Sequence, residues 1–208
     1  MKKVWNSLRT ALVFAVTMIV LCGFVYPLAL TGVSQLLFPK QANGSLIEIG
    51  GKVVGSSLIG QDFEDARFFK GRPSAVGYNT YTAEAKKAGT YAGLSSGSYN
   101  YAPSNPDLKK RIEKDIQKFL KANPDKERKD IPMDLITASG SGLDPDITPE
   151  AALVQVDGIA KASGLSKSEL KAIIQRNTTA KMLGSFGEEH VNVLACNLEI
   201  AQKIGIIS

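Results

Sequence analysis

The sequence predicts an α+β protein: a single N-terminal transmembrane helix followed by one mixed α/β extracytoplasmic domain. Three observations carry that prediction. No charged side chain occurs between Thr10 and Pro39. A Gly50-Gly51 pair separates two short apolar segments. Three later segments combine helix caps with apolar stripes of helical period. The 208 residues are 44% hydrophobic and 22% charged, one domain's worth of chain with enough apolar side chains to bury a core. That composition excludes an acidic disordered tail, a collagen-like repeat and a disulfide-stapled miniprotein. The net charge of +5 is unevenly placed. Residues 1–39 hold Lys2, Lys3 and Arg9 with no acid, whereas residues 40–208 hold the other 22 bases against all 20 acids. The larger part is near neutrality and has no Lys/Arg cluster of binding density, so no nucleic-acid partner is expected.

The apolar heart of the first segment runs from Ala11 to Leu30, through Phe14, Met18, Gly23, Tyr26 and Pro27. Twenty residues rising ~1.5 Å each cover the ~30 Å hydrocarbon layer, and in lipid a helix satisfies its own backbone. Pro27 lacks an amide donor and is expected to kink or end the helix near its outer end, with Tyr26 at headgroup depth. A cleavable signal peptide has a shorter apolar run and a small-residue cleavage site, which Tyr26-Pro27-Leu28 does not supply. A lipoprotein signal would need a smaller residue than Leu21 before Cys22, and a buried soluble helix would rarely stay uncharged for so long. The segment therefore reads as an uncleaved anchor in membrane lipid. Lys2, Lys3 and Arg9 precede it and only Lys40 follows closely, which places residues 1–9 in the cytoplasm, 10–34 across the cell (inner) membrane and 35–208 outside. Cys22 in the lipid and Cys196 outside cannot pair, so the domain is expected to fold without a disulfide.

Residues 38–45 read as a turn-rich exit from the membrane. Leu46–Ile49 and Lys52–Val54 around Gly50-Gly51 predict a hairpin. Residues 55–104, rich in Gly, Ser, Tyr and Asn, read as irregular structure with short strands, a length that marks a functional surface or an interface. A first helix is predicted from Asn105 (N-cap) and Pro106, with Leu108, Ile112, Ile116, Phe119 and Leu120 on one stripe, stopping before Asn123-Pro124. A second begins at Thr148-Pro149, buries Ala152, Val156, Ile159 and Ala160, and ends near Gly164. Ser166 with Glu169 forms a capping box for a third. Val193, Leu194, Leu198 and Ile200 suggest one more, with Cys196 inside it.

Few residues point to chemistry. Glu188-Glu189-His190 lacks zinc-ligand spacing, and His190, the one imidazole, reads as a surface or hydrogen-bonding residue. Ser139 and Ser141 in Thr137–Gly142 lack the nucleophile-elbow pattern, and a tight glycine turn ahead of Asp144-Pro145 explains the segment. There is no phosphate-cradling P-loop motif. Tyr78, Tyr81, Tyr91, Tyr99 and Tyr101 read either as a ligand-stacking cluster or as anchors of a protein interface. The residues alone thus give a tethered outer domain without an evident active site, an accessory subunit rather than an enzyme. A tethered extracellular solute-binding protein or hydrolase is the alternative.

The chain resembles the C subunit family of the Kdp potassium-transporting ATPases. The resemblance rests on Tyr26-Pro27, Phe38–Leu46 (with Gln41, Asn43 and Gly44), Gly55–Gln61, Phe68–Ala75 (with Arg72 and Pro73), Asn105-Pro106 and Pro132–Pro145. That last block contains Ser139, Gly140, Ser141, Gly142, Asp144 and Pro145; Gly187-Glu188, Val191–Leu194 (with Asn192) and Asn197-Leu198 complete the series. The family's glycine-rich segment here reads Ser96-Gly97-Ser98-Tyr99-Asn100-Tyr101. The resemblance implies three partners: a channel-like potassium-binding subunit, a P-type ATPase subunit and a small single-helix subunit. It implies a non-catalytic role, because the phosphorylated Asp-Lys-Thr-Gly-Thr motif of P-type ATPases is absent. Two roles are attributed to the family: assembly and stability of the complex, and a catalytic-chaperone effect raising the ATP affinity of the ATPase subunit. No resident cofactor or metal is expected, and ATP enters only through that attribution. Direct contact with ATP would require residues 40–208 to share its compartment, which the charge reading opposes; stabilisation from outside is the favoured expectation.

Overall fold

The structure, a computed structural model, describes residues 2–90 and 93–207, arranged as two compact units, residues 1–46 and 47–208. In the first unit α1 (Lys2–Val20), a π-helical turn (Leu21–Val25) and α2 (Tyr26–Leu37) run on as one helix of 36 residues, long and apolar enough to cross a membrane. Its apolar side chains are bare: Leu12, Phe14 and Leu28 are 66%, 63% and 69% exposed. The two threonine hydroxyls of α1 donate back to carbonyls one turn earlier, Thr10 to Asn6 and Thr17 to Val13, which hides their polarity.

Of the two outcomes expected at Pro27, a kink or an end of the helix, the end does not occur. Pro27 occupies the first turn of α2, which continues to Leu37. A proline removes a donor and crowds the carbonyl four residues back. The π turn just ahead of it eases the crowding, the Tyr26 amide reaching five residues back to the Leu21 carbonyl. The turn-rich exit is also more ordered than expected. After a break at Phe38, Pro39–Ala42 forms the one-turn helix α3. The Asn43 and Gln35 carboxamides then exchange two hydrogen bonds of 3.1 Å, and Asn43 Nδ2 donates to the Pro39 carbonyl at 2.7 Å.

The second unit opens within a hairpin of β1 (Leu46–Ile49) and β2 (Lys52–Ser56), as the Gly50-Gly51 turn predicts. Residues 57–105 are irregular as expected. The described ones contain a 3-10 turn at Gly77–Asn79 and the short helix α4 (Ala83–Lys87) rather than short strands. Glycine-rich and positive-φ positions, among them Tyr78 and Asn79, interrupt any extended ladder there.

Helix α5 (Pro106–Ala122) is bounded as predicted, with the Asn105 side chain accepting from the Asp107 amide. The predicted second helix is two: α6 (Pro149–Leu153) and α7 (Val156–Ser163). Gln155 sits at the break, its Nε2 donating to the Ala151 carbonyl at 2.9 Å and to the Lys70 carbonyl at 3.2 Å. Gly164 closes α7 in the left-handed region at φ +78°, and the Ser166–Glu169 capping box starts α8 (Lys167–Arg176). The last helix, α9 (Val193–Lys203), is capped by Asn192.

A small antiparallel sheet escaped the sequence reading: β3 (Asp146–Ile147), β4 (Thr178–Thr179) and β5 (His190–Asn192), in the order β3-β5-β4. Ile147 faces Val191 across β3–β5, and both are buried. The core gathers Ile116 of α5, Ala151 and Ala152 of α6, Val156 and Ile159 of α7, Leu170, Ile173 and Ile174 of α8, Cys196 and Ile200 of α9, and Phe69 from the irregular segment. Both cysteines are free, and burial pushes the Cys196 thiol up to about 12, a packed apolar group rather than a reactive one.

Candidate functional site

The segments 70–79, 94–101 and 137–145 converge in the second unit, although 65 residues separate Arg72 from Thr137. Arg72 reaches across with Nε toward the Thr137 carbonyl (3.4 Å), one terminal nitrogen toward Thr137 Oγ1 (3.3 Å) and the other toward Asp144 Oδ2 (3.4 Å). Asp144 uses its second oxygen to accept the Asp146 amide, a turn that feeds β3. The Tyr78 hydroxyl donates to the Arg72 carbonyl at 2.6 Å, and burial pushes its phenol up to about 12, with Asp144 and Asp62 acting in the same sense. Tyr78 holds φ +52°, a left-handed conformation unusual for a bulky residue.

The hydroxyls of the serine-rich block are committed to backbone. Ser139 Oγ accepts the Gly142 amide at 2.8 Å, and Ser141 Oγ accepts the Leu143 amide at 3.0 Å. Ser74 Oγ donates to the Gly142 carbonyl at 2.6 Å and accepts the Val76 and Tyr78 amides. Main chain joins main chain as well: Gly60 N to Leu143 O, Gly97 N to Ser141 O and Ser139 N to Pro73 O. Gly142 lies at φ +69°, and a Cβ there would stand 2.7 Å from both the Gly97 carbonyl and a Val76 methyl. The arrangement fixes loop against loop.

Beside this knot lies a cavity of about 300 Å³ lined by Lys70, Arg72, Tyr78, Tyr99, Asp115, Lys118 and Gln155 among others. Its charged groups are largely engaged in the fold. Lys70 Nζ donates to the Phe63 carbonyl and, at 2.6 Å, to that of Asp65, and burial holds its pKa below the ordinary value. Asp115 pairs with Arg111 at 2.7 Å while burial raises its pKa. Arg111 also donates to the Ile136 carbonyl and lies over the Tyr99 ring, which stacks on Tyr101 at 5.4 Å. Tyr78 and Tyr99 thus line one cavity. Tyr81 is apart from it, beside Lys86, and Tyr91 lies outside the described residues. No group of three His, Cys, Asp or Glu suited to a metal ion occurs among the described residues.

Of the residues singled out in the sequence, the fold brings together Arg72, Pro73, Ser139, Ser141, Gly142 and Asp144, with Gly140 within the same turn. Pro145 and Asn192 lie at one end of the β3–β5 pair. The Pro145 carbonyl accepts the Val193 amide, and Asn192 donates to the Ser57 carbonyl and Asp146 Oδ1. His190 is half-exposed, its Nδ1 3.0 Å from the Glu188 carbonyl and its Nε2 3.9 Å from Asp146. Gln41, Asn43 and Gly44 belong to the first unit, at the end of α3 and the turn beyond it; Ala11, Phe14, Met18, Gly23, Tyr26 and Pro27 lie along its long helix. Ser74, Gly60 and Asn197 stand in the sequence reading only as members of motif blocks, not as site residues, and Gln155 was missed altogether. A signal for the two amides was present: each is a polar residue among apolar ones in a segment read as helix, Val154-Gln155-Val156 and Cys196-Asn197-Leu198.

Comparison with known proteins agrees with this layout. The model of the family "K+-transporting ATPase, c chain" (KdpC) matches residues 8–202. A potassium-transporting ATPase KdpC subunit of Clostridium kluyveri is 59% identical over 197 residues, 94% of each chain. One from Clostridioides difficile is 56% identical over 207 residues, 97% of this chain and 100% of its own. A third, from Caldanaerobacter subterraneus, is 46% identical over 199 residues, 96% of each. With a match that spans the long helix, the hairpin and the knotted loops alike, the chain belongs to the KdpC family of K+-transporting ATPase c chains.

Proposed function

We propose that the chain is the non-catalytic C subunit of a potassium-transporting ATPase complex, anchored by its long helix and carrying its folded unit on the outer side of the cell membrane. The observation that carries this is the bare 36-residue helix: a water-soluble protein would cover such side chains, whereas lipid and neighbouring helices do so for a membrane subunit. Lys2, Lys3 and Arg9 at its start and no acid before Pro39 support a cytoplasmic N-terminus. The partners are then a channel-like potassium-binding subunit, a P-type ATPase subunit and a small single-helix subunit. The role is assembly and stability of that complex, and an effect on ATP affinity passes through subunit packing rather than through nucleotide bound here.

The loop knot supports bracing over chemistry. A brace needs surface loops held in one geometry, and backbone-directed serines, the Arg72–Asp144 contact and the Tyr78 hydroxyl supply that here. Purification through a tag on this chain, from membranes of cells starved of potassium, tests the reading. Large membrane subunits with potassium-stimulated ATP hydrolysis are expected to copurify, and Ser139→Ala and Ser141→Ala are expected to leave turnover per assembled complex unchanged. Recovery of the tagged chain alone, or abolished turnover in fully assembled serine variants, would overturn it.

A further inference from the structure

The π turn leaves the Cys22 carbonyl without a main-chain donor. In an α-helix that oxygen would accept from the amide of Tyr26, but the Tyr26 N–H is spent on Leu21. In a continued π-helix it would accept from residue 27, which is Pro27 and has no N–H. The next carbonyl, of Gly23, has lost its α-helical donor to the same proline. Both oxygens lie within two to three residues of the middle of the Ala11–Leu30 apolar run, and therefore near the centre of the hydrocarbon layer, where water is absent.

Gly23 makes this step accessible. Its backbone is ordinary right-handed helix, not one of the positive-φ positions, so no conformational demand calls for glycine. A Cβ built there meets nothing nearer than an Ile19 methyl at 4.0 Å, so the helix itself has room for a side chain. Glycine weakens a helix interior and, within this chain, brings no close contact in return. Residues 21–27 are all exposed, so the space over Gly23 and the acceptor next to it in the chain are both uncovered.

We propose that this uncovered segment is a docking site for a neighbouring transmembrane helix of the complex, which lays a side-chain hydrogen-bond donor, a hydroxyl, carboxamide or indole, against the Cys22–Gly23 carbonyls. The occupant is a membrane helix because an unpaired carbonyl at that depth must find its donor within protein, and because the missing Gly23 side chain lets a second backbone approach. This rests on the membrane-subunit reading above and adds the contact point and the chemistry of the partner.

The sequence offers a direct probe. Cys22 is followed by glycine and Cys196 by asparagine, so carbonyl-¹³C cysteine with ¹⁵N-glycine selects the Cys22 carbonyl alone. Solid-state NMR of the full chain is compared in bilayers by itself and within the purified complex. The Cys22 carbonyl signal is expected to move downfield on assembly. In Pro27→Ala, which restores the missing amide, it is expected to lie downfield already in the lone chain. Gly23→Leu, which fills the approach and is read with ¹⁵N-leucine in place of ¹⁵N-glycine, is expected to abolish the assembly shift and lower recovery of the complex in detergent. An unchanged signal between lone and assembled wild-type chain overturns the docking site while leaving the subunit reading intact. Release of the chain from membranes by alkaline carbonate overturns the anchor itself, and the docking site with it.

Discussion

The Asn197 carboxamide pairs with both main-chain groups of Phe69. The Phe69 amide donates to Asn197 Oδ1 at 2.8 Å, and Asn197 Nδ2 donates to the Phe69 carbonyl at 2.9 Å. Each residue is 1% exposed, and 128 positions of chain separate them. Gln155 does the same for Lys70, accepting its amide at 2.8 Å and donating to its carbonyl at 3.2 Å. Two buried amides from α9 and from the α6–α7 break thus seat the strand-like segment that leads into Arg72. Phe69 can enter the core without a ladder partner because the Asn197 side chain satisfies its backbone, as Gln155 does for Lys70.

Asn197→Leu keeps the volume roughly and removes both bonds. Two buried main-chain groups would be left unpaired, at ~1–3 kcal/mol each. Thermal or denaturant unfolding of the full chain in detergent is expected to show a loss of roughly 2–6 kcal/mol. A loss under about 0.5 kcal/mol, the level of an ordinary surface substitution, would mean the clamp does not hold the segment.

Gly142 and Gly164 separate crowding from backbone strain. Both have positive φ, but a Cβ at Gly164 meets open space whereas one at Gly142 collides with the Gly97 carbonyl and Val76. Gly164→Ala is expected to cost roughly 1–2 kcal/mol, the left-handed penalty alone. Gly142→Ala adds overpacking and is expected to cost roughly 2–4 kcal/mol. Equal losses would show that the loops at 97 and 142 do not press on one another.

The pH dependence at Tyr78 follows from its buried phenol. Its ordinary value is 10.0, and in the folded chain it lies at about 12. Between those values the unfolded chain releases the proton and the folded chain keeps it, so this group's contribution to stability falls as pH rises from 10 toward 12. Tyr78→Phe removes the hydrogen bond to Arg72 and is expected to cost about 1 kcal/mol at neutral pH. The stability gap between wild type and variant should then narrow through the alkaline window. A gap that stays constant from neutral pH to the alkaline limit would mean the phenol is not shielded.

The parts of the fold legible in sequence are those with local causes. Asn105-Pro106, Ser166 with Glu169, and Gly50-Gly51 act within a few residues, and the elements they bound stand where expected. The break in the Thr148–Gly164 helix was illegible in sequence: the residue at it, Gln155, bonds Lys70, 85 residues away. The three-stranded sheet was missed because strands of two or three residues carry no periodic signal. Pro27 left two outcomes open for a related reason: a proline announces a lost donor, but whether the helix stops or bulges depends on the turn before it. At the candidate site the motif residues were visible one by one. That Arg72 would meet Thr137 and Asp144, and that the serines would turn inward to amides, depends on a chain path that spacing does not encode.

The placement of the folded unit outside the membrane is the claim on which the bracing role depends. Lys171, exposed on α8, and Ser7, near the start of α1, are each replaced by cysteine in the full chain, and intact cells are treated with a membrane-impermeant maleimide. Cys22 within the helix and buried Cys196 serve as the background in the unmodified chain. Labelling of Lys171→Cys in intact cells, with Ser7→Cys labelled only after permeabilisation, is the predicted result. Labelling of Ser7→Cys in intact cells while Lys171→Cys stays protected until the membrane is opened would contradict it.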